Sequence, residues 1–362
     1  MRVFLTSIIA QLLLNPYLCW RGYKILPEKK VVRKLFVGLF ALELLIYFIG
    51  FIFHAVLPDA VMIPIEWICG TWYIASIYLT IALLVLEIFR LKLRTRRIVY
   101  PLLLIAVIPL LLVAYHTVKN PVVRNLTVHI DKPCAGHDSL TVVYMSDLHI
   151  GEMIGKEMVQ KYVAMSNAAH PDLVLIGGDV IDNFSRFATV PHIEEDLRKL
   201  EAPLGTYLVL GNHEYRGDFP VKLQWLRQIG GTLLIDSVTQ PDSSFYLIGR
   251  DDYTHKSRCS LQHLSSSLDK SKPIILLDHE PWDLQEVADN GADLALFGHT
   301  HNGQIWPHSL LLKFVFECPY GYCRKGNSQI YVSSGIGIAG LPYRVLTRSE
   351  MVVLHLYFRN KN

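Results

Sequence analysis

Three long apolar runs near the start of the chain constrain what it can fold into. Residues 35–57, LFVGLFALELLIYFIGFIFHAVL, contain a single acid, Glu43. A helix of about 20 apolar residues crosses the hydrocarbon core of a bilayer, and this run is long enough to do so. Residues 65–89 and 98–118 have similar length, with charges near their ends and aromatic residues at the expected interfaces. Residues 3–20 are weaker, because Gln11, Asn15 and Pro16 interrupt them and no small-residue cleavage site marks a removable signal peptide. That first run either spans or lies at the surface. Residues 1–120 are therefore expected to form a transmembrane anchor of three to four helices.

The remainder has another character. The overall 51% hydrophobic and 19% charged residues are what results when a very apolar segment is joined to an ordinary globular one. Residues 121–139 read as a linker and first strand, and residues 140–362 as a catalytic domain. A net charge of +3 is too small to imply a nucleic-acid partner. The basic residues fall instead in two short loops. Arg21, Lys24, Lys29, Lys30, Arg33 and Lys34 lie between the first and second runs, and Arg90, Lys92, Arg94, Arg96 and Arg97 between the third and fourth. Lysine and arginine accumulate on the cytoplasmic side. The loop from His54 to Pro64 contains neither. The last helix is thus expected to exit outward whether or not the first run crosses. The reading is a multi-pass protein of a bacterial inner membrane, with its catalytic domain extracytoplasmic, in the periplasm.

A transporter reading would rest on Glu43, Glu66 and Glu87. The last two lie near span ends, and one internal acid is thin support for an ion pathway. Of the six cysteines, Cys19 and Cys69 lie in apolar runs, and no CxxC pattern suggests structural zinc. Cys318 and Cys323 are near enough in sequence for a loop-closing disulfide if the domain is extracytoplasmic.

From residue 140 the pattern becomes short apolar runs that stop at polar residues. LTVVYMSDLHIG, PDLVLIGGDVID, GTYLVLGNHEY, PIILLDHEP and ADLALFGHTHNGQ each open like a buried strand and end in Asp, Asn or His. Stretches 155–169 and 219–229 between them have the spacing of amphipathic helices, which makes the domain α/β. In such folds ligands bind beyond the carboxyl ends of the strands. Asp147, His149, Asp179, Asn212, His279, His299 and His301 supply carboxylate, amide and imidazole donors. That mix suits divalent manganese, iron or zinc, and no thiolate is among them. So many donors suggest two ions about 3.5 to 4 Å apart, joined by a shared carboxylate. Asp179, after Gly177 and Gly178, is the natural bridge. A single histidine among 15 is more often a surface or core residue than a ligand; five ordered strand-end clusters are not accidental.

The ordered blocks SDLHIG, GGDVID, GNHEY, DHEP and GHTHNGQI resemble the signature of the calcineurin-like metallophosphoesterases, over residues 140–358. The resemblance implies a sandwich of two mixed β-sheets flanked by helices. It assigns Asp147, His149, Asp179 and His301 to one metal and Asp179, Asn212, His279 and His299 to the other. His213 would act at the scissile group, protonating the leaving oxygen or steadying phosphoryl charge, and a metal-activated water would be the nucleophile. Asp182 and Glu214 are candidate partners that orient these residues. Arg250, Asp251, Asp252 and Tyr253 either line the site or form a solvated turn. Arg344 is a candidate for a substrate phosphate. The tail YVSSGIGIAGLPYRVLTRSEMVVLHL resembles the membrane-associated bacterial branch of the family. Asn302 departs from the glycine common at its position, which bears on loop shape and substrate preference. The expected substrate is a phosphodiester or phosphomonoester, such as a lipid headgroup, an envelope component or a small ester. Two alternatives remain: pyrophosphate hydrolysis of a UDP-linked acylated sugar in lipid A synthesis, whose cytoplasmic substrate conflicts with the orientation, and a non-catalytic metal-binding module.

Overall fold

A computed structural model describes residues 2–53 and 56–359, with side chains described for Ile8 and from Ala10 onward. His54 and Ala55 of the loop expected to face outward lie outside the described residues. The chain divides into two compact units, Met1–His116 with Leu341–Tyr343, and Thr117–Gly340 with Arg344–Asn362.

The first unit is helical: α1 (Arg2–Ile25), α2 (Lys30–Phe53), α3 (Asp59–Ile88) and α4 (Leu93–Lys119). Of these, α2, α3 and α4 are long and apolar enough to cross a membrane. The polar residues that interrupt α1 face its neighbours. Gln11 Nε2 donates to Ser76 Oγ on α3 at 3.3 Å. Asn15 Nδ2 donates to Glu43 on α2 at 2.5 Å, and its Oδ1 accepts from Trp72 Nε1 at 2.8 Å. Tyr17 and Arg21 meet Glu87. Polar groups among apolar helices need internal partners, and these pairings account for Glu43 and Glu87 without an ion pathway.

The second unit carries two six-stranded mixed sheets. Its strands are β1 (Val122–Ile130), β2 (Ser139–Met145), β3 (Leu173–Ile176), β4 (Thr206–Leu208), β5 (Thr232–Leu233) and β6 (Ser237–Thr239), then β7 (Tyr246–Gly249), β8 (Ile274–Leu277), β9 (Leu294–Phe297), β10 (Gly321–Lys325), β11 (Ser328–Val332) and β12 (Glu350–Phe358). The first sheet runs β1-β12-β2-β3-β4-β5 and the second β10-β11-β9-β8-β7-β6. Alternation along β2 shows how the layers form. Val142 and Tyr144 pack between the sheets with Leu277, Leu296 and Leu354, while Val143 and Met145 pack under α5 (Lys156–Asn167) with Val159 and Tyr162. The second sheet's outer face is covered by the helices Leu261–Ser265 and Leu284–Asp289, through Leu264, Leu284 and Val287.

Strands β2, β3 and β4 are mutually parallel, as are β7, β8 and β9. Their carboxyl ends carry the polar blocks. Asp147, His149, Asp179, His299 and His301 all sit at positive φ, between 48° and 68°. A non-glycine residue held there costs about 1–3 kcal/mol and persists only where its surroundings hold it. The strain thus falls on five of the seven candidate ligands.

Candidate metal centre

All seven candidate ligands and His213 come together where these strands end. Asp147, His149, Asp179, Asn212, His279 and His301 are buried, and His213 and His299 half-buried. Donor atoms gather in three groups that could each hold an ion: Asp147, His149 and His301; His149, Asp179 and His213; Asp179, His279 and His299. Glycines let the loops approach. A Cβ on Gly211 would lie 2.3 Å from Asp179 Oδ1, and one on Gly298 would lie 2.4 Å from Asp147 Oδ2.

Asp179 Oδ2 lies between two imidazoles, 3.6 Å from His149 Nε2 and 3.2 Å from His279 Nε2. His279 Nδ1 faces the Gly177 carbonyl at 2.8 Å, an atom that only accepts, so Nδ1 carries the proton and the neutral ring's Nε2 a bare lone pair. That Nε2 is buried without a hydrogen-bond partner. A lone pair facing a carboxylate oxygen is repulsive unless a proton or cation intervenes. His301 Nε2 likewise faces His149 Nε2 at 3.0 Å and Asp147 Oδ1 at 3.3 Å. His299 Nδ1 lies 3.0 Å from Asn212 Oδ1. The donor set therefore fits divalent cations.

The charges agree. Burial lowers the His279 imidazole, but Asp179 and Asp147 outweigh it and push the group well above its ordinary value. Burial raises Asp179, yet His279, His213 and His149 together hold it well below the carboxylate range. Burial, helped by His279, lowers His299 to about 3, and burial with His149 and Arg344 lowers His301 well below the usual imidazole range. Ligand histidines must be neutral, and these two are.

His213 lies beside this cluster. Its Nδ1 is 2.6 Å from Asp182 Oδ1, and its Nε2 is 2.5 Å from Arg216 Nη1. Glu214 is fully buried and accepts from the backbone amides of Asp179, Ile181 and Gly211 at 2.9, 3.0 and 2.7 Å, which ties the second and third ligand loops together.

Other residues take unexpected roles. Arg344 does not face a substrate; it is 1% exposed and its guanidinium donates to the carbonyls of His301, Ser334, Gly335 and Gly337. The segment after β7 is no solvated turn, since Arg250, Asp251 and Asp252 are buried. Arg250 pairs with Glu286 at 2.6 Å and, with Arg258, brackets Asp278 beside His279. Asn302 takes φ 51°, a region that asparagine enters more readily than most residues, so the turn keeps a glycine-like shape. Cys318 and Cys323 are joined in a disulfide. Sequence reasoning missed Lys222 and Arg216. Lys222 is fully buried, and its ammonium donates to the carbonyls of Asp182 and His213. Its signal was a lysine on the apolar face defined by Phe219, Trp225 and Leu226.

Comparison with known proteins identifies the family. The family model described as calcineurin-like phosphoesterase matches residues 140–303. An uncharacterized metallophosphoesterase of Helicobacter pylori is 34% identical over 256 residues, covering 68% of this chain and 67% of that one. A transmembrane protein with metallophosphoesterase domain from Danio rerio is 30% identical over 253 residues, covering 64% of this chain and 56% of its own length. Among solved structures, a dimetal phosphatase from Danio rerio aligns with a TM-score of 0.39 at 16% identity, over 53% of this chain and 86% of that one. The chain belongs to the calcineurin-like phosphoesterase family. It is a metal-dependent phosphoester hydrolase, of a family that works with a dinuclear metal centre.

Proposed function

We propose that the chain is a multi-pass, membrane-anchored phosphoesterase with an extracytoplasmic catalytic domain, acting on phosphodiester or phosphomonoester bonds of a lipid headgroup or envelope component. Asp147, His149, Asp179 and His301 would hold one ion and Asp179, Asn212, His279 and His299 the other, with manganese, iron and zinc all compatible with the donors. Asp179 Oδ2, set between His149 Nε2 and His279 Nε2, is the observation that carries this assignment. When bound, two divalent ions supply Lewis-acid charge and lower the pKa of the attacking water.

The chain's own residues do the rest. Asp182 accepts from Nδ1 of His213 and fixes the ring, while Arg216 Nη1 donates to its Nε2; once Arg216 turns to a phosphate oxygen, Nε2 is free to carry a proton to the leaving oxygen. Arg216, already at that nitrogen, supplies a fork of donors for phosphate oxygens. Asp147 is steadied by Ser146 and by the His299 amide, so it keeps its direction. The basic loops flanking α2 and α4 support the outward orientation. The Cys318–Cys323 disulfide supports it too, since disulfides persist in oxidising compartments.

The test is metal content and turnover of the purified full chain beside an Asp179→Asn variant, with bis(p-nitrophenyl) phosphate and p-nitrophenyl phosphate as substrates. About two bound ions per chain, chelator-sensitive hydrolysis, and loss of both in the variant are expected. A variant that retains wild-type metal content and turnover refutes the bridging role. A folded, metal-loaded wild type inert toward both esters refutes general phosphoesterase activity and leaves a narrowly specific enzyme or a binding module.

A further inference from the structure

Directly after the turn His301–Gly303 the chain forms a five-residue helix, His308–Leu312, with none of its residues buried. The helix is pressed against that turn: a Cβ on Gly303 would lie 2.4 Å from the Ser309 amide nitrogen. What it presents outward is apolar. Leu310, Leu311, Phe314 and Val315 are 47%, 60%, 88% and 55% exposed, within the sequence LLLKFV. Leu346, 81% exposed, follows Val345, which bridges Ile305 just before this helix. Leaving such side chains in water forgoes the stabilisation that burial brings, and grouped exposure of this kind marks a contact surface.

Inward, the same segment reaches the metal centre. Phe316 is buried, its ring 4.4 Å from that of Trp282 and 6.2 Å from that of His299. Trp282 is itself 47% exposed. Phe316 thus places an apolar ring between half-exposed Trp282 and a candidate ligand, two residues after Phe314.

Two features of the chain name a lipid bilayer as the occupant. Helix α4 is long and apolar enough to cross a membrane and ends at Lys119, while β1 begins at Val122, so the tether is at most about 11 Å of extended chain. The apolar residues are also flanked by Lys313 and Arg348, both exposed. Cations beside protruding apolar side chains are the pattern that meets an anionic lipid surface.

We infer that Leu310–Val315, with Leu346, inserts into the bilayer interface and sets the mouth of the metal centre at headgroup level, so that its substrate is a phosphoester presented by a membrane lipid. This rests on the membrane-anchored reading above. The test uses the full chain in vesicles of phosphatidylglycerol and phosphatidylethanolamine, with photoreactive p-benzoylphenylalanine placed in turn at Phe314, Leu311, Leu104 of α4 and the exposed polar Gln262. Lipid adducts are expected at Phe314, Leu311 and Leu104, with none at Gln262. Lipid adducts at Leu104 but none at Phe314 and Leu311, or adducts to a second protein chain there, overturn the inference and leave the anchored reading standing. Adducts at Gln262 equal to those at Phe314 overturn it as well. No lipid adduct at Leu104 removes the anchored reading and the inference with it.

Discussion

His213 Nδ1 lies 2.6 Å from Asp182 Oδ1, and the same carboxylate oxygen stands 3.7 Å from His149 Nδ1. Asp182 therefore hydrogen-bonds the candidate proton donor, while the candidate ligand His149 stands beyond hydrogen-bond reach of it. Burial raises Asp182, but His213 and His149 outweigh it and hold it well below the carboxylate range, so it is ionised wherever the enzyme works. Asp182→Asn is expected to lower kcat about 10–100-fold, while His213→Asn lowers it about 100-fold or more. The double variant should be no worse than His213→Asn alone, because the two act as a unit. Steady-state kinetics on bis(p-nitrophenyl) phosphate measure this; additive losses would show that Asp182 works through something other than His213.

Arg216 meets the opposite nitrogen of that ring. If it binds phosphate oxygens, Arg216→Ala should raise KM about 10- to 100-fold, the value of a charge-assisted hydrogen bond or two. Arg216→Lys should recover only part, because the ammonium cannot fork. The measurement is KM for monoester and diester in both variants. An unchanged KM with normal kcat would place Arg216 outside substrate binding.

Lys222 is a test of how the His213 loop is held. With Nζ removed, the carbonyls of Asp182 and His213 lose a buried donor, a cost of about 1–3 kcal/mol for each. Lys222→Met should therefore shift urea denaturation to lower concentration and also depress kcat, since both carbonyls belong to residues of the His213 pair. A stability loss with normal kcat would make Lys222 a purely structural residue.

Glu214 gives a pH dependence in the metal-free protein. Burial first, then the charge of Asp179, pushes its carboxyl up to about 7, against about 4.3 in the unfolded chain. Between those values the folded chain holds a proton that the unfolded chain has released. Its contribution to stability therefore falls as pH rises through that window and levels off above about 7. Thermal denaturation of chelator-treated wild type at several pH values should show this component, and Glu214→Gln should remove it while lowering stability throughout, because the carboxamide cannot accept from all three amides. A wild-type slope preserved in the variant would assign it to another group.

Much of the domain was legible because its strands are buried on both faces and stop abruptly. The runs before Asp147, Asp179, His279 and His299 correspond to β2, β3, β8 and β9, since a short unbroken apolar run that halts at a polar residue is how a strand covered on both faces reads. Pairing was not legible. Strand β12 inserts between β1 and β2, parallel to one and antiparallel to the other, and period-two alternation does not name a partner. Arg344 was misread because a glycine-rich turn beside a candidate site suggests substrate, whereas its carbonyls gather around that guanidinium instead. Lys222 stayed hidden because its role depends on carbonyls supplied by other loops.

Orientation is the last expectation. The loops Arg21–Lys34 and Arg90–Arg97 are basic and the one around Pro58 is not. Whether α1 crosses or lies flat does not alter where α4 ends, because the count starts at the first basic loop. Alkaline phosphatase fused to the carboxyl terminus should therefore be active, and a fluorescent protein that matures only in the cytoplasm should be dark. Moving the charge should move the domain. Neutralising Arg90, Lys92, Arg94, Arg96 and Arg97 together is expected to mix the two orientations, since the bias comes from lysine and arginine near the span ends. A cytoplasmic carboxyl terminus in the unmodified chain would reverse the assignment and return a UDP-linked acylated sugar to consideration as substrate.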